Sequence, residues 1–206
     1  MIYHSLEGVG LLPKMAEVLT DYGCCEMFLF RNVKNSELLY NAILAGDINY
    51  AMIKPSLIAH PLQVAVAVKK ALLAERRTNT SLQNCPKNKG LVTRSVLTEI
   101  LYNLAPSKNI ATSLQTYGLE KHNKDILAVA IIKQGIANPN LRQSVLENLQ
   151  SKIEGDLVSN IMDEEKGLPS ITDWELVSKV HKLKWISSKQ EIIDVLISRA
   201  ATKDVT

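Results

Sequence analysis

Apolar residues arrive along this chain in two rhythms. Met27 to Val33 reads Met-Phe-Leu-Phe-Arg-Asn-Val, and Ile126 to Ile132 reads Ile-Leu-Ala-Val-Ala-Ile-Ile. Neither run alternates, and both are short and rich in branched or aromatic side chains, so both are predicted as buried strands. Tyr50 to Ile53 is predicted as a third, stopped by Pro55. Elsewhere the spacing is helical. Ser36 starts a helix through Leu39, Ala42 and Ile43, with Gly46 as its C-terminal glycine. Pro61 opens a helix to Glu75, with Leu62, Ala65, Val66, Leu72 and Leu73 as its apolar stripe. Val96, Ile100 and Leu101 mark another, broken by Pro106. Ser107 to Ile110 open the next, which Gly118 closes. Leu141, Val145, Leu146 and Leu149 mark a helix after the Asn138-Pro139-Asn140 turn. Asp163 to Gly167 reads as a solvated loop. Thr172 and Glu175 fit a capping box, with Thr172 as N-cap of a helix to about Leu183. The last helix covers about Ser188 to Ala201. Strands interleaved with helices predict an α/β fold: a single domain with a small mixed β-sheet covered by helices, and a C-terminal helical part.

Composition adds scale. The chain has 206 residues, of which 46% are hydrophobic, enough for a substantial core. One domain over 1–206 is expected, with 76–90 as a basic polar loop inside it. The net charge of +3 is too small to name a partner, so position matters more than the sum. Between Lys69 and Arg94 lie Lys70, Arg76, Arg77, Lys87 and Lys89, against one acid, Glu75. Such a strip makes either a phosphate-binding face or a merely solvated loop. Lys108 and Asn109 stand at a helix start, where free backbone N–H groups suit a phosphate. Arg94 suits bidentate phosphate bonds, and an internal pairing with Glu99 is the competing expectation.

Catalytic signatures do not emerge. His4, His60, His122 and His181 are scattered, with no metal-ligand spacing. Glu7-Gly8-Val9-Gly10 does not extend to a dinucleotide fingerprint, and no Walker A loop or nucleophile elbow occurs. Cys24, Cys25 and Cys85 form no disulfide or metal framework, and the first two are read as packing beside a strand. The expectation is a protein with no enzymatic activity, cofactor or metal, the alternatives being a small enzyme whose active site is assembled in space or an interaction domain that binds no RNA. No run approaches a membrane span and no basic leader opens the chain, so no membrane association is expected, and the location is expected to be cytoplasm and nucleus.

The last helix is too apolar for one contact. Ile192, Ile193, Val195, Leu196, Ile197, Ala200 and Ala201 spread over roughly 240° of its circumference, where about 100° suffices to seat a helix on one core. The excess predicts a partner surface carried by Ile193, Val195, Leu196, Ile197 and Ala200. A helix sunk deeply into its own fold is the alternative.

Three stretches resemble one family. They are Phe28 to Asn35; Thr93 to Ile100 continuing through Asn103-Leu104-Ala105-Pro106-Ser107-Lys108-Asn109-Ile110 to Tyr117-Gly118-Leu119; and Lys179 to Leu183 with the ending Ala201 to Val205. In order and spacing they resemble TPRKB-type PRPK-binding proteins and their archaeal and fungal relatives. The resemblance implies an accessory, non-catalytic subunit of the KEOPS complex, also called EKC, which makes N6-threonylcarbamoyladenosine beside the anticodon of tRNA. It implies a heterodimer with a PRPK-type atypical kinase, support of that kinase's ATPase activity, contacts with other KEOPS/EKC subunits, and binding of tRNA including its 3′ CCA end. On that reading Lys69, Lys87, Lys89, Arg94, Lys108 and Asn109 face tRNA, and the last helix faces the kinase. The sequence departs at Ala105, where relatives carry serine, and at His181, where tyrosine is usual. Segments 10–24 and 76–87 look longer than in relatives.

Overall fold

A computed structural model describes residues 17–20, 23–79, 90–132, 139–184, 186 and 188–203. The chain divides into two compact units, each assembled from two separated stretches. The first takes Met1–Pro55 and Leu119–Thr172, the second Ser56–Gly118 and Asp173–Thr206.

The first unit is a sheet with helices. Its strands are β1 (Glu17–Thr20), β2 (Gly23–Arg31), β3 (Ala51–Ile53), β4 (Ile126–Ile132) and β5 (Asp156–Leu157). They run in the order β1-β2-β4-β3, with β5 also pairing β2. Phe28 lies opposite Ala128, and Met52 opposite the same residue from the other side. The α/β class is as the pattern predicts, but among the described residues every strand pairing is antiparallel, not mixed. Unbroken apolar runs suggest parallel neighbours because they signal burial on both faces. Here Phe28 and Phe30 are buried on one face of β2, and Cys25, Met27 and Leu29 on the other, within an antiparallel sheet. Burial on both faces fixes the composition of a strand, not its direction.

Two helices cover the Phe28 face. They are α1 (Ser36–Ala45) and α5 (Pro139–Lys152). Leu39, Leu146 and Leu149 join Phe28, Phe30, Ile126 and Ala128 in one cluster. Gly46 ends α1 at φ 83°, in the left-handed region that glycine enters without cost. The expected solvated loop at 163–167 is ordered by its first residue: Asp163 Oδ1 accepts from the N–H groups of Glu165 (2.9 Å) and Lys166 (2.8 Å). It leads into a single helical turn, α6 (Leu168–Ile171), absent from the sequence reading. β1 and β5 are likewise additions, being too short to carry a rhythm.

The second unit is helical: α2 (Pro61–Asn79), α3 (Val96–Leu104), α4 (Ile110–Tyr117), α7 (Trp174–His181) and α8 (Lys189–Thr202). The helical part is therefore not C-terminal alone, since it takes in the middle of the chain. α2 and α3 pack antiparallel: Leu91 N–H donates to Thr78 Oγ1 (2.9 Å) beyond one end, and Asn103 Nδ2 to the Ala67 carbonyl (3.3 Å) nearer the other. α2 runs past Glu75, so residues 76–79 of the expected loop are helical. Residues 80–89 lie outside the described residues. The buried row of α2 is Val64, Ala67, Val68 and Ala71, while Leu62, Val66 and Leu73 are only partly buried. Ala65 and Leu72 of the expected stripe are buried with that row, so the buried surface is wider than the stripe and shifted from its other members, because this helix is apolar around most of its girth. Thr172 is also corrected: its hydroxyl donates back to the Leu168 carbonyl (2.8 Å) and closes α6. Asp173 caps α7 instead, accepting from Leu176 N–H at 2.9 Å.

Candidate functional site

Arg94 stands immediately before α3, and its neighbours on both sides are fixed. Ser95 is the N-cap: its Oγ accepts from Thr98 N–H, and its N–H donates to Thr98 Oγ1, both at 3.2 Å. These reciprocal bonds satisfy helix-start donors that would otherwise be orphaned. On the other side lies the buried carboxylate of Glu99. Its Oε2 accepts from Val92 N–H (3.1 Å), Thr93 N–H (2.7 Å) and Thr93 Oγ1 (2.7 Å). The expected alternative, Glu99 pairing with Arg94, is not what this carboxylate does. Arg94 is exposed, and its guanidinium has no ion-pair or hydrogen-bond partner among the described residues. Backbone held and cation free is the arrangement a phosphate contact requires.

The second basic point follows α3. Asn109 is the N-cap of α4, its Oδ1 accepting from Thr112 N–H at 3.0 Å. Asn109 N–H donates to Ser107 Oγ (3.1 Å), and the buried Ser113 hydroxyl reaches the carbonyls of Ser107 (3.0 Å) and Asn109 (2.8 Å). Lys108 projects from this pinned loop, exposed and without a partner among the described residues. α3 rises about 14 Å end to end. Arg94 and Lys108 are thus two separate points of charge rather than one clamp. Lys69 is exposed on α2, in the same unit. Lys87 and Lys89 lie outside the described residues. Asn109, expected as a direct contact, is exposed and caps α4 through its side-chain oxygen.

A buried polar group joins four helices of this unit. Tyr117 Oη and His181 Nε2 lie 2.6 Å apart, both side chains buried, with the rings edge to face. Burial, then the charges of Arg199 and Lys203, pushes the His181 imidazole down to about 4, so it is neutral near pH 7. Burial raises the Tyr117 phenol well above its usual range, so it too is neutral. Arg199 Nη1 donates to the His181 carbonyl at 2.5 Å. Lys203 is almost wholly buried. Its ammonium donates to the carbonyls of Tyr102 and Ala105 (2.7 Å to the latter) and sits 3.6 Å from the centre of the Tyr102 ring.

α8 presents two sides. Ile192, Leu196 and Ala200 are buried. The spacing of four residues makes them one row, and the helix packs on α2 and α7. Of the residues expected at a partner surface, Leu196 and Ala200 therefore belong to the unit's own core. Ile193, Val195 and Ile197 remain partly exposed, beside that row. The apolar arc is thus wider than the fully buried row, with Ile193, Val195 and Ile197 of intermediate burial at its edge.

Sequence reasoning missed Glu99 and Lys203. Ser95 and Thr98 at capping spacing announce the first bond network, but nothing local distinguishes Lys203 from a solvated lysine. Cys25 is buried in β2, as expected of a packing cysteine. Among the described residues no group of three or more His, Cys, Asp or Glu side chains is arranged to hold a metal ion, and no helix is long and apolar enough to cross a membrane.

Arg94 and Lys108 on pinned loops and the partly exposed flank of α8 are thus surface features of the helical unit. Residues 30–204 match the family model described as kinase binding protein CGI-121. Among curated proteins, the chain is 33% identical over 170 residues to the EKC/KEOPS complex subunit CGI121 of Gibberella zeae, covering 79% of each chain. It is 25% identical over 199 residues to the EKC/KEOPS complex subunit TPRKB of Danio rerio, covering 94% of this chain and 98% of that one. The corresponding Aspergillus fumigatus subunit is 28% identical over 165 residues. The chain belongs to the CGI-121 family of kinase-binding proteins, to which TPRKB belongs, as the resemblance implied.

Proposed function

We propose that this chain is a non-catalytic subunit of an EKC/KEOPS complex. It binds a PRPK-type atypical kinase as a heterodimer and supports that kinase's ATPase activity. With the other subunits it helps hold tRNA, including the 3′ CCA end, for N6-threonylcarbamoyladenosine formation beside the anticodon. The observation that carries this reading is the family match across residues 30–204, with relatives named as subunits of that complex. The kinase takes the flank of Ile193, Val195 and Ile197, because apolar side chains left partly exposed on a helix seek a partner groove. Arg94, Lys108 and Lys69 take tRNA phosphates, with Lys87 and Lys89 continuing the strip. The working location is cytoplasm and nucleus, which imaging of a tagged chain checks.

Co-purification with the kinase of the same organism tests the reading directly. Ile193→Arg and Ile197→Arg are expected to abolish the heterodimer while changing stability by less than about 1 kcal/mol, since a partly exposed position lets arginine keep its head in water. The mixture should hydrolyse ATP faster than the kinase alone, and the isolated chain should not hydrolyse it. Robust turnover by the isolated chain sinks the accessory role. Kinase binding without salt-dependent tRNA binding reduces the protein to an interaction module.

A further inference from the structure

The loop that carries Lys108 is held from both sides, and one side is α8. Residues 107 and 109 are bonded within the loop and to Ser113 of α4. Ala105, the residue that ends α3, is bonded to α8 through the ammonium of Lys203 (2.7 Å). The same ammonium takes the Tyr102 carbonyl one turn earlier and lies over the Tyr102 ring. A positive charge at a helix C-terminus satisfies orphaned carbonyls and opposes the negative end of the helix dipole. Pro106 comes next and has no N–H, so it cannot continue the helical ladder, and the Ala105 carbonyl is gripped at the point where the chain leaves α3 for Lys108. Lys203 is only 7% exposed.

We infer that Lys203 is a positioning residue for RNA: from the end of α8 it fixes the direction in which the 105–109 loop leaves α3, and so sets Lys108 and the start of α4 against a phosphate. This rests on the proposed RNA-facing role of that loop. It also means that the helix whose flank is offered to the kinase and the loop offered to RNA share one buried ammonium.

Four versions of the full chain separate the two ideas: wild type, Lys203→Met, Lys108→Ala and the double variant. Each is titrated with tRNA at several salt concentrations. Lys203→Met is expected to weaken binding about fivefold and to reduce the salt slope by about as much as Lys108→Ala, a loss of roughly one phosphate contact. The double variant should be little weaker than Lys108→Ala alone, because the two act through one contact. Lys203→Arg, which keeps a cation in reach of both carbonyls, should recover most of the affinity. Should Lys203→Met fail to fold, Lys203→Gln, which retains a donor without the charge, carries the same comparison. Additive losses in the double variant, or a lowered melting temperature with unchanged tRNA affinity and slope, overturn the positioning role and leave the RNA reading intact. If Lys108→Ala itself changes neither affinity nor slope, the loop is not an RNA site, and the inference falls with that reading.

Discussion

The two units keep their interiors in different ways. The sheet unit closes on an apolar cluster around Phe28, Phe30, Leu39 and Leu149, and the polar side chains it buries among the described residues are Glu26, which Arg142 meets at 3.2 Å, Ser36 and Thr172. The helical unit buries Gln63, Glu99, Asn103, Ser113, His181 and Lys203. Most of these spend their bonds on helix ends and loops rather than on one another. A sheet fixes its strands by backbone ladders and needs little else. Short helices joined by loops have free ends, and buried polar groups are what hold such ends in one conformation. Arg94 and Lys108, two of the candidate contacts, project from loops held in this way, and the helical unit is where the family's partner surfaces are proposed to lie.

If that contrast is right, the two interiors should fail differently. Phe28→Ala is the heaviest blow, with a loss of about 3–5 kcal/mol expected from lost burial and the cavity left behind. Urea unfolding of this variant should show the loss at pH 7 and pH 5 alike, because no titrating group is involved. A loss confined to one pH would mean that the sheet interior is not a purely apolar device.

Acid should select the helical unit. His181 is neutral in the folded protein down to about pH 4, whereas an unfolded histidine takes its proton near 6.5. Between those values the unfolded chain binds more protons, so stability falls as pH falls, by at most about 1.4 kcal/mol per unit and on the order of 3 kcal/mol in total. Above about 6.5 the contribution is complete, and below about 4 it is gone. Arg199 and Lys203 are the charged groups beside His181, and the raised Tyr117 phenol stays neutral over this range. Trp174 and Trp185 both fall in the stretch 173–206, so tryptophan fluorescence follows this unit. His181→Phe should flatten the acid limb of that signal, and an unchanged limb would place the acid-sensitive group elsewhere.

Glu99→Gln is the mildest test. The amide keeps an acceptor but loses the charge that holds two backbone N–H groups and a hydroxyl, for an expected cost of about 1–2 kcal/mol. Faster amide exchange at Val92 and Thr93, with the α5 amides unchanged, would localise the effect to the Arg94 loop. Unchanged exchange at those two amides would show that the capping box alone holds it.

Much of the sheet unit was legible because its signals are local. The run at 126–132 and the glycine after α1 stand where the pattern puts them. What could not be read is pairing at a distance: β2 meets β4 almost a hundred residues on, and direction leaves no trace in composition. In the helical unit the helices were legible and the bonds between them were not. Glu99 looked like a partner for Arg94 because the two are close in sequence, yet the carboxylate turns to backbone N–H groups. Lys203 falls just past the expected end of the last helix, with nothing local to mark it as buried. Its burial depends on carbonyls at Tyr102 and Ala105 that only the folded end of α3 brings within reach. α8 shows the limit from the other side: its excess of apolar surface was visible, but the split that gives Leu196 and Ala200 to the core and leaves Ile193, Val195 and Ile197 at the edge needed the neighbouring helices.

The discontinuous make-up of the helical unit has a consequence during synthesis. α2, α3 and α4 emerge from the ribosome early, but α8, which packs on α2, ends about 85 residues after α4, a delay on the order of 4–17 s at ordinary elongation rates. For that interval the side of α2 that α8 will cover has no cover from this chain, and the end of α3 waits for its lysine. The nascent protein is therefore exposed to misassociation along α2 during that interval, and the bond that finishes the unit joins groups 98 residues apart.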